Sequence, residues 1–176
     1  MPRRMLLVLD AGPLIALAAG GGLEALARLD ASFLLPAFLL PEAVAEEVLV
    51  QGHLGLADPG RIEAFLTKAG VVRVRPKDSG LVDRVAANPR LSRADAAALV
   101  VAHERGGRLV ADDRSLRAAA RAMGVSLGGS LFLVFSAVEQ GLLSRDGAVD
   151  LVRRMITTGW YCSPTLFDAF QERMLG

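Results

Sequence analysis

Three short runs constrain this chain most: "MLLVL" (5–9), "AFLL" (37–40) and "RLVA" (108–111). A strand with one wet face alternates apolar and polar residues. The first run, apolar on every side, has no wet face and suits a central parallel strand buried on both faces. Parallel strands cannot be joined by a tight turn; they need crossovers long enough for a helix. Helical stretches do separate these runs. The sequence therefore predicts an α/β fold with a short, mostly parallel central sheet flanked by helices.

The intervening stretches fill in the rest. Pro13 stands where a first helical turn starts, and a helix runs to about Gly20, with a second over about 23–29. Pro41 opens the helix "PEAVAEEVLV", residues 51–60 read as a Gly/Pro loop, and 61–69 as a helix. "VVRVR" (71–75) alternates as an edge strand should, and Pro76 ends it. A helix is predicted over 78–87. An Ala-rich one starts at Ser92 and stops before Gly106-Gly107, and another covers 115–123. "GVSL" (124–127) reads as a last short strand, followed by helices near 130–140, 146–157 and 164–174.

A chain of 176 residues suits one domain, 1–176, with a large core, and 52% hydrophobic residues supply it. The charge-free stretch from Gly124 to Val138 is too short and too broken by Gly and Ser for a spanning helix. Met5 to Ala19 behind Arg3-Arg4 resembles a signal peptide, but Asp10 lies mid-run and Gly12-Pro13 breaks the helix. Cys162 is the single cysteine, so no intrachain disulfide forms, and a soluble cytoplasmic protein is expected. There is no Cys/His zinc spacing and no phosphate-binding glycine loop. A net charge of +1 neither demands nor excludes nucleic acid.

Against that background the acids stand out. Asp10 interrupts "VLDAGPLIALA", where an unpaired buried carboxylate is costly. It closes the first strand, and Asp112-Asp113 closes "RLVA". Ligands of open α/β sheets gather at such carboxyl ends. On the helix after Pro41, a rotation of 100° per residue places Glu47 on the face of Val44 and Val48, with Glu46 opposite. Asp95 shares a stripe with Ala98, Leu99 and Ala102. Each acid also has a purely structural reading. Ser92-Arg93-Ala94-Asp95 is a capping box. Asp112 or Asp113 caps the next helix. Asp10 serves backbone donors at a helix start, and Glu47 is a partly exposed helix acid. Taken together, carboxylates on one sheet edge repel and raise one another's pKa. A divalent cation resolves that conflict, and oxygen ligands select Mg²⁺ or Mn²⁺. Such ions suit phosphoryl chemistry with an activated water.

In this order the motifs resemble those of the PIN-domain family of metal-dependent nucleases, most closely the branch related to VapC-type toxins. "VLDAGPLIALA" is similar to the opening motif and supplies Asp10; "LLPEAVAEEV" is similar to the second and supplies Glu47. "LSRADAAALVVAHERGGRLVADD" is similar to the third and fourth together and supplies Asp95, then Asp113 or Asp112. The resemblance covers residues 5–125 well, and "GWYCSPTLFDAF" is similar to the C-terminal end of one subgroup. It implies a PIN-like three-layer sandwich, Mg²⁺ or Mn²⁺ held by the acids, and hydrolysis of RNA. It also implies a homodimer and, in toxin members, an antitoxin partner. Relative to compact toxins, the helices from about 130 to 176 read as additions. Two departures are Gly12, where many members carry Ser or Thr, and Ala111, where a Thr is common. If Ala111 replaces that Thr, Asp113 is the better match for the fourth acid.

Phosphate backbones need cations. Arg114, Arg117 and Arg121 form a stripe beginning beside Asp112-Asp113, and Arg93 precedes Asp95 by two residues. These four are the candidate RNA contacts. Two other readings stay open. Gly12 and Ala111 suit a catalytically inactive PIN-like module that binds RNA or a protein partner. A phosphatase with an aspartate nucleophile at Asp10 would want a second aspartate where Gly12 stands.

Overall fold

The computed structural model describes residues 6–31, 37–49 and 58–176. Five strands form one sheet: β1 (Leu6–Leu9), β2 (Ala37–Pro41), β3 (Val72–Val74), β4 (Arg108–Val110) and β5 (Ser126–Gly128). Every pairing is parallel, and the order is β3-β2-β1-β4-β5. β1 is central, with Leu7 opposite Phe38 on one side and Val8 opposite Leu109 on the other. Leu7, Val8 and Leu9 are fully buried, as an apolar strand without alternation requires.

Ten α-helices flank the sheet among the described residues: α1 (Ala11–Gly20), α2 (Leu23–Ala27), α3 (Glu42–Leu49), α4 (Pro59–Lys68), α5 (Ser79–Ala86), α6 (Arg93–Arg105), α7 (Arg114–Ala122), α8 (Ser130–Glu139), α9 (Arg145–Thr157) and α10 (Pro164–Leu175). α6 packs on β1, β2 and β4 and is also met by α3, α5 and α7. It is therefore buried almost all round. Leu99, Val101 and Ala102 join the main core, while Ala96 and Val100 meet Val82 of α5. Its many alanines fit that position, because small side chains let a helix be approached from several directions.

Some boundaries differ from the sequence reading. The last strand spans 126–128 rather than 124–127, because Gly124 has φ +69° and turns the chain out of α7. β3 is an edge strand, but only three residues long, and Val72 lies half open to solvent. The expected loop over 51–60 falls outside the described residues up to Ala57. Beyond it, α4 begins two residues before the expected Arg61, because Asp58 caps it by accepting from the Gly60 amide and Pro59 sits in its first turn.

α9 lies against α1 through a close approach at Gly20, where any Cβ would come within 2.6 Å of Met155 Cγ. Arg154 Nε adds a hydrogen bond of 2.9 Å to the Gly20 carbonyl. This junction brings the irregular segment after α9 alongside the start of α1. No helix among the described residues is long and apolar enough to cross a membrane.

Candidate active site

The strand order reverses between β1 and β4: the chain leaves β1 toward β2 and β3, then returns to the other side at β4. The gap beyond the carboxyl ends at such a reversal is where open α/β sheets bind ligands. Asp10 follows β1 directly, and Asp112 follows β4 after Ala111. The Asp10 amide donates to the Val110 carbonyl at 3.0 Å, so the β1–β4 ladder runs up to the edge of that gap. A cavity of about 600 Å³ opens there, lined by Asp10, Glu47, Asp95, Asp112 and Asp113 together. Three helices start at its wall. Ala11 begins α1, Asp95 lies in the first turn of α6, and Arg114 begins α7. Their N-terminal dipole ends favour negative charge.

Among the described residues the buried polar side chains are Asp10, 5% exposed, and Ser130, fully buried; both belong to this site. Asp10 occupies the N-cap position of α1, yet its side chain makes no capping hydrogen bond. Its Oδ1 is buried without a hydrogen-bond partner among the described residues. The structural reading of Asp10 therefore accounts for it only in part: the Ala11 and Gly12 amides favour its charged form, while Oδ1 is left over. Burial pushes its carboxyl up from an ordinary 3.8 to about 7, and the negative charges of Asp95 and then Glu47 add to the rise. The nearby Ala11 and Gly12 amides pull the other way without reversing it.

Glu47 does face the cavity, half-buried on α3, while Glu46 is exposed and lines a separate groove with Arg75 and Arg93. Asp95 fills both roles read from the sequence. It completes the capping box of α6, with Ser92 N donating to its Oδ2 at 2.6 Å and its own amide donating to Ser92 Oγ at 3.0 Å. It also lines the cavity close enough to raise Asp10. Asp113 caps α7, accepting from the Leu116 amide at 2.8 Å, and is exposed.

Asp112, the poorer match to the family's fourth acid, is the more firmly built in. Its Oδ1 accepts from the Ser130 amide at 2.8 Å, and its Oδ2 accepts from the Ser130 hydroxyl and from Trp160 Nε1, the latter at 2.9 Å. Gly129 makes this possible: a Cβ there would stand 2.7 Å from Asp112 Oδ1. Ser130, Gly129 and Trp160 are not legible in the sequence as site residues. The one signal is the chain's single Trp and single Tyr, adjacent in a segment without regular structure. Cys162 lies near Asp112, but burial first and that charge second push its thiol up, so it is no ready nucleophile.

The structure places the four candidate arginines differently. Arg114 lines the acid cavity. Arg117 turns inward, and its Nη1 donates to the carbonyls of Ala111 at 2.8 Å and Gly128 at 2.9 Å, tying β4 to β5. Arg121 is exposed in the last turn of α7, off the cavity wall. Arg93 pairs with Asp83 at 2.8 Å and faces the groove of Glu46. Of that stripe, only Arg114 lines the acid cavity, because helical spacing does not say which side chains fold back onto the backbone. Among the described residues, no three His, Cys, Asp or Glu side chains are drawn together closely enough to hold a metal ion as they stand.

An all-parallel sheet with five carboxylates gathered where its strand order reverses defines an acid-lined α/β domain. The whole-chain comparison makes that specific. Residues 6–174 match the PIN domain family, through α10, so the C-terminal helices lie within the matched span. The chain belongs to the PIN-domain family, whose members are in general nucleases. A search of curated proteins gave no match.

Proposed function

We propose that this chain is a ribonuclease dependent on Mg²⁺ or Mn²⁺. The observation that carries the reading is the unpartnered, buried Oδ1 of Asp10, whose carboxyl is pushed up by burial first and then by Asp95 and Glu47 across the same cavity. An all-oxygen donor set suits a hard divalent cation such as Mg²⁺ or Mn²⁺. Asp10, Glu47 and Asp95 would hold it, with Asp112 or Asp113 completing the set. Bound there, such an ion polarises a phosphate and lowers the pKa of an attacking water.

The chain's own residues supply the rest. The Asp10 carboxylate, left with an unsatisfied Oδ1, would be the ligand most in need of the cation's charge. Ser130 and Trp160 hold Asp112 in one orientation, and Asp95 is fixed by its capping box, so the acids are pre-oriented. Arg114 stands beside them to receive a phosphate of the RNA backbone. A toxin role with an antitoxin partner, and a homodimer, belong to the same reading and extend beyond this site.

The test is thermal unfolding against Mn²⁺ and Mg²⁺, with cleavage of single-stranded RNA, for the wild type and Asp10→Asn. A ligand binding only the native state stabilises by about 2.7 kcal/mol at a hundredfold excess over Kd. The wild type should gain melting temperature with metal and cut RNA, losing both with chelator, and Asp10→Asn should do neither. A wild type indifferent to both metals sinks the reading. One observation favours a second, non-catalytic binding module: Asp95, Asp112 and Asp113 already accept internal hydrogen bonds. Metal-induced stabilisation without turnover would decide for it.

A further inference from the structure

A second cavity, of about 570 Å³, adjoins the acid cavity. The two share Asp112, Arg114, Trp160 and Tyr161 as walls. The ridge between them is the Asp112–Trp160 pair, locked by the Nε1 hydrogen bond. The two sides differ in chemistry. One is lined by carboxylates; the other by Phe132, Phe135 and Leu166, with Arg114 at the shared rim.

The second cavity has a fixed floor and one unrestrained aromatic ring. Arg108 stacks over Phe132 at 4.6 Å and Arg173 over Phe135 at 4.3 Å, while Phe170 meets Phe135 edge-on. Those rings are already covered. Tyr161 is 85% exposed, and no hydrogen bond or ring contact restrains it among the described residues. The large hydrophobic side chains left exposed among the described residues are Val72, Tyr161, Leu166 and Leu175; two of them line this one cavity. An exposed ring, an apolar floor and an arginine beside a phosphodiester site match one ligand chemistry. A base stacks on an aromatic face whatever its sequence, and its phosphate meets a cation.

We propose that the cavity behind Trp160, with Tyr161 as stacking platform, holds an unpaired nucleobase of a single-stranded RNA whose neighbouring phosphate lies among the acids. The inference rests on the ribonuclease reading. It makes Tyr161 a substrate-binding residue and Trp160 the divider that sets base and phosphate on opposite sides.

The experiment measures fluorescence anisotropy of a labelled single-stranded RNA octamer in Ca²⁺, which oxygen ligands also hold, with the octamer checked to be uncut after each titration. An octamer with abasic ribose at its central positions is run beside it. The proteins are the full-length wild type, Tyr161→Ala and Tyr161→Phe; the exposed position leaves folding undisturbed. Loss of one stacked base weakens binding by about ten- to a hundredfold. Tyr161→Ala should show that loss on the octamer, Tyr161→Phe should bind as wild type, and the abasic octamer should not distinguish the three. Octamer binding unchanged by Tyr161→Ala overturns the subsite, while cleavage by the wild type in Mn²⁺ would leave the ribonuclease standing. The expected pattern without cleavage supports the subsite and overturns the ribonuclease. A wild type that neither binds nor cuts the octamer overturns both.

Discussion

Asp10 carries more constraint than any other single side chain in this protein. A carboxylate between Leu9 and Ala11 at a buried strand end has to be solvated, neutralised or used. In the fold it is shut away from water, 5% exposed and with Oδ1 unpartnered among the described residues. This has a consequence for pH. Below 3.8 both the folded and the unfolded chain hold the proton, and Asp10 adds no pH-dependent cost. Between 3.8 and about 7 the unfolded chain has released it while the fold still holds it, so stability falls as pH rises. Above 7 the full penalty of about 4 kcal/mol is in place. In chelator, then, the stability gap between Asp10→Asn and the wild type should widen from pH 4 to pH 8, the mutant being the more stable. Equal slopes in parallel denaturant titrations would show that Asp10 does not carry this penalty. Asp112 is the converse case. Nothing in its sequence neighbourhood announces that Ser130 and Trp160 converge on it, since both lie far along the chain.

At the scale of elements, periodicity and caps locate nearly every helix. The signals at Pro13, in the first turn of α1, and at Ser92, the N-cap of α6, are local physics and the fold obeys them; Pro41, expected to open a helix, instead ends β2 one residue before α3 begins. Position around a helix is legible too: Glu47 turns in and Glu46 out, as a 100° step demands. What periodicity does not give is the fate of long side chains. Arg117 shares its stripe with Arg114 and Arg121 but folds back to bridge Ala111 and Gly128. The β5–α8 turn depends on a similar non-local fit. Gly129→Ala should cost about 1–3 kcal/mol, because its methyl must displace an Asp112 carboxylate held by three hydrogen bonds. Denaturant melts would read that loss. A cost near zero would mean that Asp112 moves freely.

Over the whole molecule, α6 joins fold and site. Its middle fills the core across β1, β2 and β4, and its first turn carries Asp95 to the cavity. Leu99→Ala should therefore destabilise by about 2–5 kcal/mol, by leaving a void in the centre of the core. Calorimetry would report a melting temperature lower by several degrees; an unchanged transition would mean the core closes over the gap. The sequence by itself determined the α/β class, the parallel sheet and the acids at two strand ends, because burial on both faces and helix caps are written in neighbouring residues. Only the tertiary structure decided which acids meet, which arginine stays at the site, and that Trp160 and Ser130 complete it. Those facts depend on a strand order that reverses between β1 and β4 and on a tail brought back by α9, and no local pattern encodes a meeting between residues so far apart.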